Sequence, residues 1–267
     1  MYGELIPIYG HFAIHSFGVF LALGLIVFSY CFLNNSTRPS LIDSETFMNV
    51  LSISILSGLI GGRILHLIAS GRLAFFITGK TPFTELFFIW QGGISLLGAL
   101  LGILCTIPFI LKIKGIEPIK FFDLTALYAP LLQAIARVGC FFSGCCYGAK
   151  TEIAWSTNHL TDSGQLIAVY PTQLYSASLL LMIFFIMTKV GQKKLYTAGF
   201  CTMLYLMLMS FERFFIDFFR GDREYFPSSL FSLLSIHQWI SLVVFSSATV
   251  VLLRIQLAPH KPYRTIS

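Results

Sequence analysis

Charge is what this sequence has least of. Of its 267 residues, 11% are Asp, Glu, Lys or Arg, and the mean hydropathy is +0.79. Soluble domains carry about 25% charged residues, so a water-facing fold over most of the chain is excluded. A linker rich in Pro, Gly or Ser, a low-complexity tract and an internal repeat are also missing. One membrane domain over residues 1–267 is therefore the economical organisation, and a transporter built from repeats is disfavoured. No Lys-rich start with a short apolar core and a small-residue cleavage site precedes the first apolar run, so we expect that helix to be retained.

What the chain does have is apolar runs of the length needed to cross about 30 Å of hydrocarbon, roughly 20 residues each. Seven are read, over residues 12–33, 46–69, 94–111, 121–144, 172–190, 197–219 and 230–255. The expected fold is all-α: a polytopic integral membrane protein of about seven transmembrane helices. Lys and Arg divide unequally between alternate connections. Arg38, Lys112, Lys114, Lys120, Lys189, Lys193, Lys194, Arg254, Lys261 and Arg264 give one side ten, against five from Arg72, Lys80, Lys150, Arg220 and Arg223. Cytoplasmic loops carry the excess, which places the N-terminus outside and the C-terminus in the cytoplasm. The net charge of +6 follows from this asymmetry and calls for membrane lipids, not nucleic acid, as its partner. The longest polar stretch, 148–169, becomes an external insertion, and the Phe-rich connection from Gly71 to Trp90 reads as an interfacial segment or an ordinary anchored loop.

Three arginines remain inside spans: Arg63, Arg137 and Arg213. Each costs at least about 2.5–3.5 kcal/mol at the centre of a membrane helix, so such residues face a partner or a cavity. Together they suggest an anionic ligand. Arg63 closes the glycine-rich GLIGGR, which fits either backbone contact with a ligand or close helix packing with an arginine reaching for the interface. Arg137 opens RVGCFFSGCCYG, and dense glycine beside an arginine suits a helix end that cradles a phosphate. Gln133 lies one turn earlier on the same face. Arg213 and Asp217, four apart in FERFFIDFFRGDR, share a face and either neutralise one another or, with Arg220 one turn on, extend a basic surface outward. His11 and His15 fall on one helical face at the external start of the first span. His15 is thus a possible headgroup contact or proton carrier, whereas His66 and His237 read as hydrogen-bonded structural residues. The six cysteines read as structural too. The CxxxxCC spacing of Cys140, Cys145 and Cys146 matches no zinc pattern, adjacent cysteines are poorly placed to share one ion, and a disulfide there fits an oxidising face. No metal and no cofactor is expected.

The ordered motifs GGR (Gly61 to Arg63), WQGGISLLGALLG (Trp90 to Gly102), FDLTALYAPLLQAIARVGCFFSGCCYG (Phe122 to Gly148), YPTQLY (Tyr170 to Tyr175) and FERFFIDFFR (Phe211 to Arg220) resemble the bacterial prolipoprotein diacylglyceryl transferases over nearly the whole chain. The resemblance implies a seven-helix enzyme of the bacterial inner membrane. It would move the diacylglyceryl group of phosphatidylglycerol to the lipobox cysteine of a prolipoprotein signal peptide and release glycerol 1-phosphate. It assigns catalysis to Arg137, Arg213 and Asp217, the last standing where the family usually has Glu. Substrate binding would fall by resemblance to Arg63, Gln133 and Gly148, to which their own placement adds Arg220 and His15. The departures are specific. The family's third-helix histidine is Leu97, its first-helix Tyr-Gly is Phe17-Gly18 after Ser16, its His-Pro is Tyr170-Pro171, the Glu after Gln-Leu-Tyr is Ser176, and a frequent Asn is Cys140. The phosphate-binding cations stay while the usual proton carriers go. This leaves an enzyme whose base is Asp217, His15 or the substrate thiol's own ionisation, a transferase with a different acceptor, or a non-catalytic phospholipid-binding paralogue.

Overall fold

The computed structural model describes residues 4–9, 12–71, 93, 95–160, 164–192, 197–225 and 232–257. Seven long helices appear among them: α1 (Ser16–Leu33), α2 (Ser44–Ala69), α3 (Leu96–Ile113), α4 (Pro118–Ser143), α5 (Thr172–Gly191), α6 (Phe200–Asp217) and α7 (Ile236–Leu257). Six are long and apolar enough to cross a membrane; α6 carries Glu212, Arg213 and Asp217 and is the exception. Large apolar side chains such as Ile26, Phe109 and Val243 remain exposed on the helices, as expected where lipid rather than water is the surroundings. Two antiparallel hairpins add the strands β1 (Glu4–Tyr9) with β2 (Phe12–His15), and β3 (Thr157–Leu160) with β4 (Leu166–Val169). The expected first span therefore starts late. Residues 12–15 pair with β1, so His15 ends a strand opposite Glu4 and does not share a helical face. Beyond Gly71, the connection up to Trp90 and the side chains of β1 and β2 lie outside the described residues.

The chain forms two compact units, residues 36–121 and residues 1–35 with 122–267. In the first unit, glycine sets how closely α2 and α3 approach. A Cβ on Gly61 would stand 2.4 Å from the Gly98 carbonyl oxygen, one on Gly98 would stand 2.4 Å from the Gly61 oxygen, and one on Gly102 would stand 2.4 Å from the Ser57 oxygen. Without Cβ atoms the two backbones touch, which is how membrane helices gain dispersion contact when no water drives them together. Ser95 fixes the entry to α3. Its amide donates to the Gly62 carbonyl (3.0 Å) and its hydroxyl accepts from Gly98 (3.4 Å).

In the second unit, α1 lies along α4. Ser16 and Ser143 share a hydrogen bond of 2.8 Å, Phe20 stacks on Phe142, and a Cβ on Gly139 would come within 2.6 Å of Phe20 Cβ. The link between α4 and α6 is polar. Gly199, the residue before α6, has no side chain to cap the free amides of that helix, and Asp123 of α4 does so instead. Asp123 Oδ2 accepts from Gly199 N–H (2.6 Å), while Oδ1 accepts from Thr202 N–H (2.8 Å) and the Thr202 hydroxyl (2.7 Å). The carboxylate is buried, so these bonds are made where water offers no replacement. Asp123→Ala should destabilise the detergent-solubilised protein by about 1–3 kcal/mol, the range for caps and charge-assisted hydrogen bonds. Thermal melting tests this, and an unchanged midpoint would remove the cap from the account.

Candidate active site

Every polar side chain described below, apart from Arg63 and its neighbours, belongs to the second unit. Arg137 lies half-buried on α4, and among the described residues it makes no ion pair. Gln133, one turn earlier, donates from Nε2 to Tyr205 Oη (2.8 Å), and its buried Oε1 has no hydrogen-bond partner among the described residues. The expected face of α4 thus presents a guanidinium without a contact ion pair next to a carbonyl oxygen that has no hydrogen-bond partner among the described residues.

Asp217 is the most enclosed acid among the described residues, 1% exposed, and is held from three sides. Arg213 approaches Oδ1 at 3.7 Å, Arg223 Nε approaches Oδ2 at 3.6 Å, and the Ser235 hydroxyl donates to Oδ2. The pairing foreseen from the i, i+4 spacing is therefore present, with Arg223 and Ser235 added. Gln238 closes the ring: its Oε1 accepts from Arg223 Nη2 (2.9 Å) and from Ser235 N–H (3.0 Å). Arg220 turns the other way. It forks onto Asp222 through Nε to Oδ1 (2.8 Å) and Nη2 to Oδ2 (2.5 Å), and these bonds hold the Asp222 carboxyl below the usual carboxylate range. The folded pKa is depressed, so the pair is intact at neutral pH and is lost only as pH falls through that lowered value.

Gly148 serves the backbone. Its N–H donates to the Tyr170 carbonyl (3.0 Å), and it bridges Arg220 in antiparallel register. A Cβ there would meet Phe219 O and Tyr170 Cβ, both at 2.6 Å, so only glycine lets these segments cross. The 148–169 insertion is thereby tied to the end of α6, and Trp155 Nε1 donates to Tyr175 Oη (2.8 Å) to fasten it to α5.

Glu212 escaped the sequence reading. It is 3% exposed, accepts a hydrogen bond from the Ser176 hydroxyl and lies within electrostatic reach of Arg137, Arg213 and Arg220. Position 176 is where the resemblance places a glutamate; here α5 offers a hydroxyl and α6 brings the carboxylate to it. A charged residue in a span beside a lost carboxylate was the available signal. Gln173 was missed as well. Its Nε2 donates to the Cys145 carbonyl (2.7 Å), and its buried Oε1 has no partner among the described residues.

Arg63 belongs to the other unit. Its Nη1 donates to the Gly93 carbonyl (3.2 Å), and a Cβ on Gly93, whose φ is +84°, would collide with His66 Nε2 at 2.6 Å. Leu97, at the family's histidine position, is 61% exposed on α3.

The cysteines also depart from expectation. All six are free, and the sulfurs of Cys140, Cys145 and Cys146 lie within 4.8 Å of one another, so adjacent cysteines do converge here.

A family model described as prolipoprotein diacylglyceryl transferase matches residues 4–254. The chain belongs to this family. Among its relatives are phosphatidylglycerol–prolipoprotein diacylglyceryl transferase 2 of Clostridium perfringens, 28% identical over 235 residues (86% of this chain, 87% of the relative), and the enzyme of the same name without the number from Clostridium tetani, 27% identical over 234 residues (86% and 88%). A Bordetella avium protein of that name is 26% identical over 247 residues (91% and 90%). The chain is a transferase of a multi-pass membrane family.

The geometry separates ion-paired charge from charge with no contact pair among the described residues. Ser235→Ala removes a donor from buried Asp217 and should lower stability by about 1–3 kcal/mol. Arg137→Ala breaks no ion pair and should stay within about 0.5 kcal/mol of wild type. Melting of the two purified variants side by side checks both, and a larger loss for Arg137→Ala would overturn the division.

Proposed function

We propose that this protein transfers the diacylglyceryl group of phosphatidylglycerol to the lipobox cysteine of prolipoproteins, releasing glycerol 1-phosphate, in the inner membrane of a bacterium. The observation that carries the reading is an excess of guanidinium over carboxylate. Arg137, Arg213, Arg220 and Arg223 face Glu212, Asp217 and Asp222, and Arg137 is the one left without an ion-paired acid. One phosphodiester would balance the set.

The reaction breaks a C–O bond and leaves two negative charges on glycerol phosphate where the phosphodiester had one. Cations fixed before reaction favour that change, since they need no rearrangement as charge develops. Arg137 takes the phosphate directly in this reading. Arg213 shares its charge between Asp217 and the phosphate, and a planar fork suits both. The free Gln133 Oε1 is an acceptor of the kind a headgroup hydroxyl requires, which accounts for a lipid whose headgroup carries hydroxyls. Gly148 and Arg220 hold the external insertion to the end of α6, over the outer side of the site if the N-terminus is outside. Arg63 and His15 remain candidates for headgroup contact.

Purified full-length protein should pass radiolabelled diacylglyceryl from phosphatidylglycerol to a lipobox peptide. Arg137→Ala should cut the rate by about 100-fold or more, as loss of a fixed charge stabiliser does. Arg213→Lys should fall between, because it keeps charge and loses the fork. Equal rates in all three proteins would sink the assignment of the arginines, and no transfer by wild type would sink the function.

A further inference from the structure

The end of α4 has a geometry that the cysteine spacing conceals. Gly144 adopts φ +69°, its N–H donates to the Phe141 carbonyl (3.1 Å), and Cys145 N–H donates to the Cys140 carbonyl (3.1 Å). These are the two bonds of a Schellman motif, which folds the second residue past the helix back over the last turn. Here that pair is Cys145 and Cys140. Cys146 then takes φ +60°, the one positive φ among described non-glycine residues. A cysteine gains nothing locally from that conformation, which costs about 1–2 kcal/mol. Its effect is to turn the third sulfur to the same side as the other two. The dipeptide is held in place from α5: the Thr172 hydroxyl donates to the Cys146 carbonyl (2.8 Å) and Gln173 Nε2 donates to that of Cys145.

We infer that Cys140, Cys145 and Cys146 bind a zinc ion through three thiolates and leave its fourth position for the thiol of the acceptor cysteine. Zinc bound by sulfur at about 2.3 Å sets neighbouring sulfurs about 3.8 Å apart, reached from a 4.8 Å triangle by small side-chain rotations. Three protein ligands and one open position is the arrangement of zinc sites that act on substrates, while structural sites close the fourth. Burial grades across the triangle, from Cys140, buried, to Cys145, exposed, so one side is open to an incoming thiol. Three thiolates and a divalent ion sum to one negative charge, and Cys146 lies within electrostatic reach of the guanidiniums of Arg137 and Arg220.

The inference rests on the transfer reaction proposed above and supplies for it a group that ionises the acceptor. On binding zinc the acceptor thiol loses its proton to water at the exposed face. The resulting thiolate attacks the glyceryl carbon next to the phosphate, a C–S bond forms as the C–O bond breaks, and the electron pair leaves on the phosphate oxygen. Arg137, one turn before Cys140, holds that oxygen's charge.

Full-length protein purified without chelator should contain about one zinc per chain by mass spectrometry. Cobalt(II) loaded in its place should show thiolate charge-transfer bands, which shift on adding a lipobox peptide and not its Cys→Ser analogue. Cys145→Ser and Cys146→Ser should lose the metal and about 100-fold in transfer, on the scale of a lost proton carrier, while retaining phosphatidylglycerol binding. Cys105→Ser should retain metal and rate. Active protein without zinc, wild-type transfer by Cys146→Ser, a disulfide among the three cysteines in the active form, or cobalt bands indifferent to the peptide would each overturn the inference. Zinc-loaded protein whose cobalt bands respond to the peptide but which transfers nothing would instead overturn the proposed reaction and leave the thiol site standing.

Discussion

The carboxylate of Asp123 is the constraint on which the second unit depends. A helix that starts at a glycine inside an apolar surrounding has free amides and no water to satisfy them. Asp123 meets that need from another helix, so α6 is secured only when α4 is in register with it. From this fixed point the two helices run on in the same direction. Gln133 meets Tyr205, and Arg137 comes within reach of Glu212. A parallel pair is what a single crossing by α5 between them requires. The chemistry at the far end of α4 is therefore set by a bond made at its beginning.

The charges at that end are arranged so that most of the arginine is already committed. Asp217 engages Arg213 and Arg223, which offsets part of the desolvation cost of burying that carboxylate, and exposed Asp222 engages Arg220. Arg137, with Glu212 in electrostatic reach but no acid at ion-pair distance among the described residues, is the arginine with charge left to offer, and the proposed phosphate would take it. The paired arginines also act at a distance, since several guanidiniums in a weakly screened surrounding raise the potential that a doubly charged leaving group meets. Fixed pairs cannot reorganise when the charge moves, which is the property that favours the transition state over the ground state.

Much of this was legible in the sequence, and what was not has physical reasons. Long apolar runs announce helices whatever their neighbours, so the elements and the family motifs could be read directly, and the i, i+4 spacing sufficed to pair Arg213 with Asp217. Boundaries failed where pairing between segments competes with helix formation: His15 belongs to a strand because β1 offers its backbone partners. Glu212 was overlooked because its partner, Ser176, is 36 residues away on another helix, and no local rule connects them. The convergence of the three cysteine sulfurs is illegible for a different reason. Metal-ligand spacings describe loops and strands, whereas here a helix cap, with Gly144 in a left-handed turn, carries Cys145 back over Cys140.

One face of α4 then reads as a single sequence of tasks. Gln133, Arg137 and Cys140 are spaced by four and three residues, so they share a stripe about 10 Å long at 1.5 Å per residue. In the proposed reaction that length has to accommodate a glycerol hydroxyl, a phosphate and the carbon from which the phosphate departs, in that order. A displacement at carbon requires the attacking and leaving atoms on opposite sides of the reacting centre, and a straight helix supplies separated, rigidly related positions for the groups that hold them. The loss of a histidine on α3 is then less consequential than it first looks, because a proton acceptor is needed only if the thiol arrives protonated and uncoordinated. A cation that ionises the thiol on binding would remove that requirement, and the arginines beside it would favour such an anionic sulfur cluster at a membrane boundary.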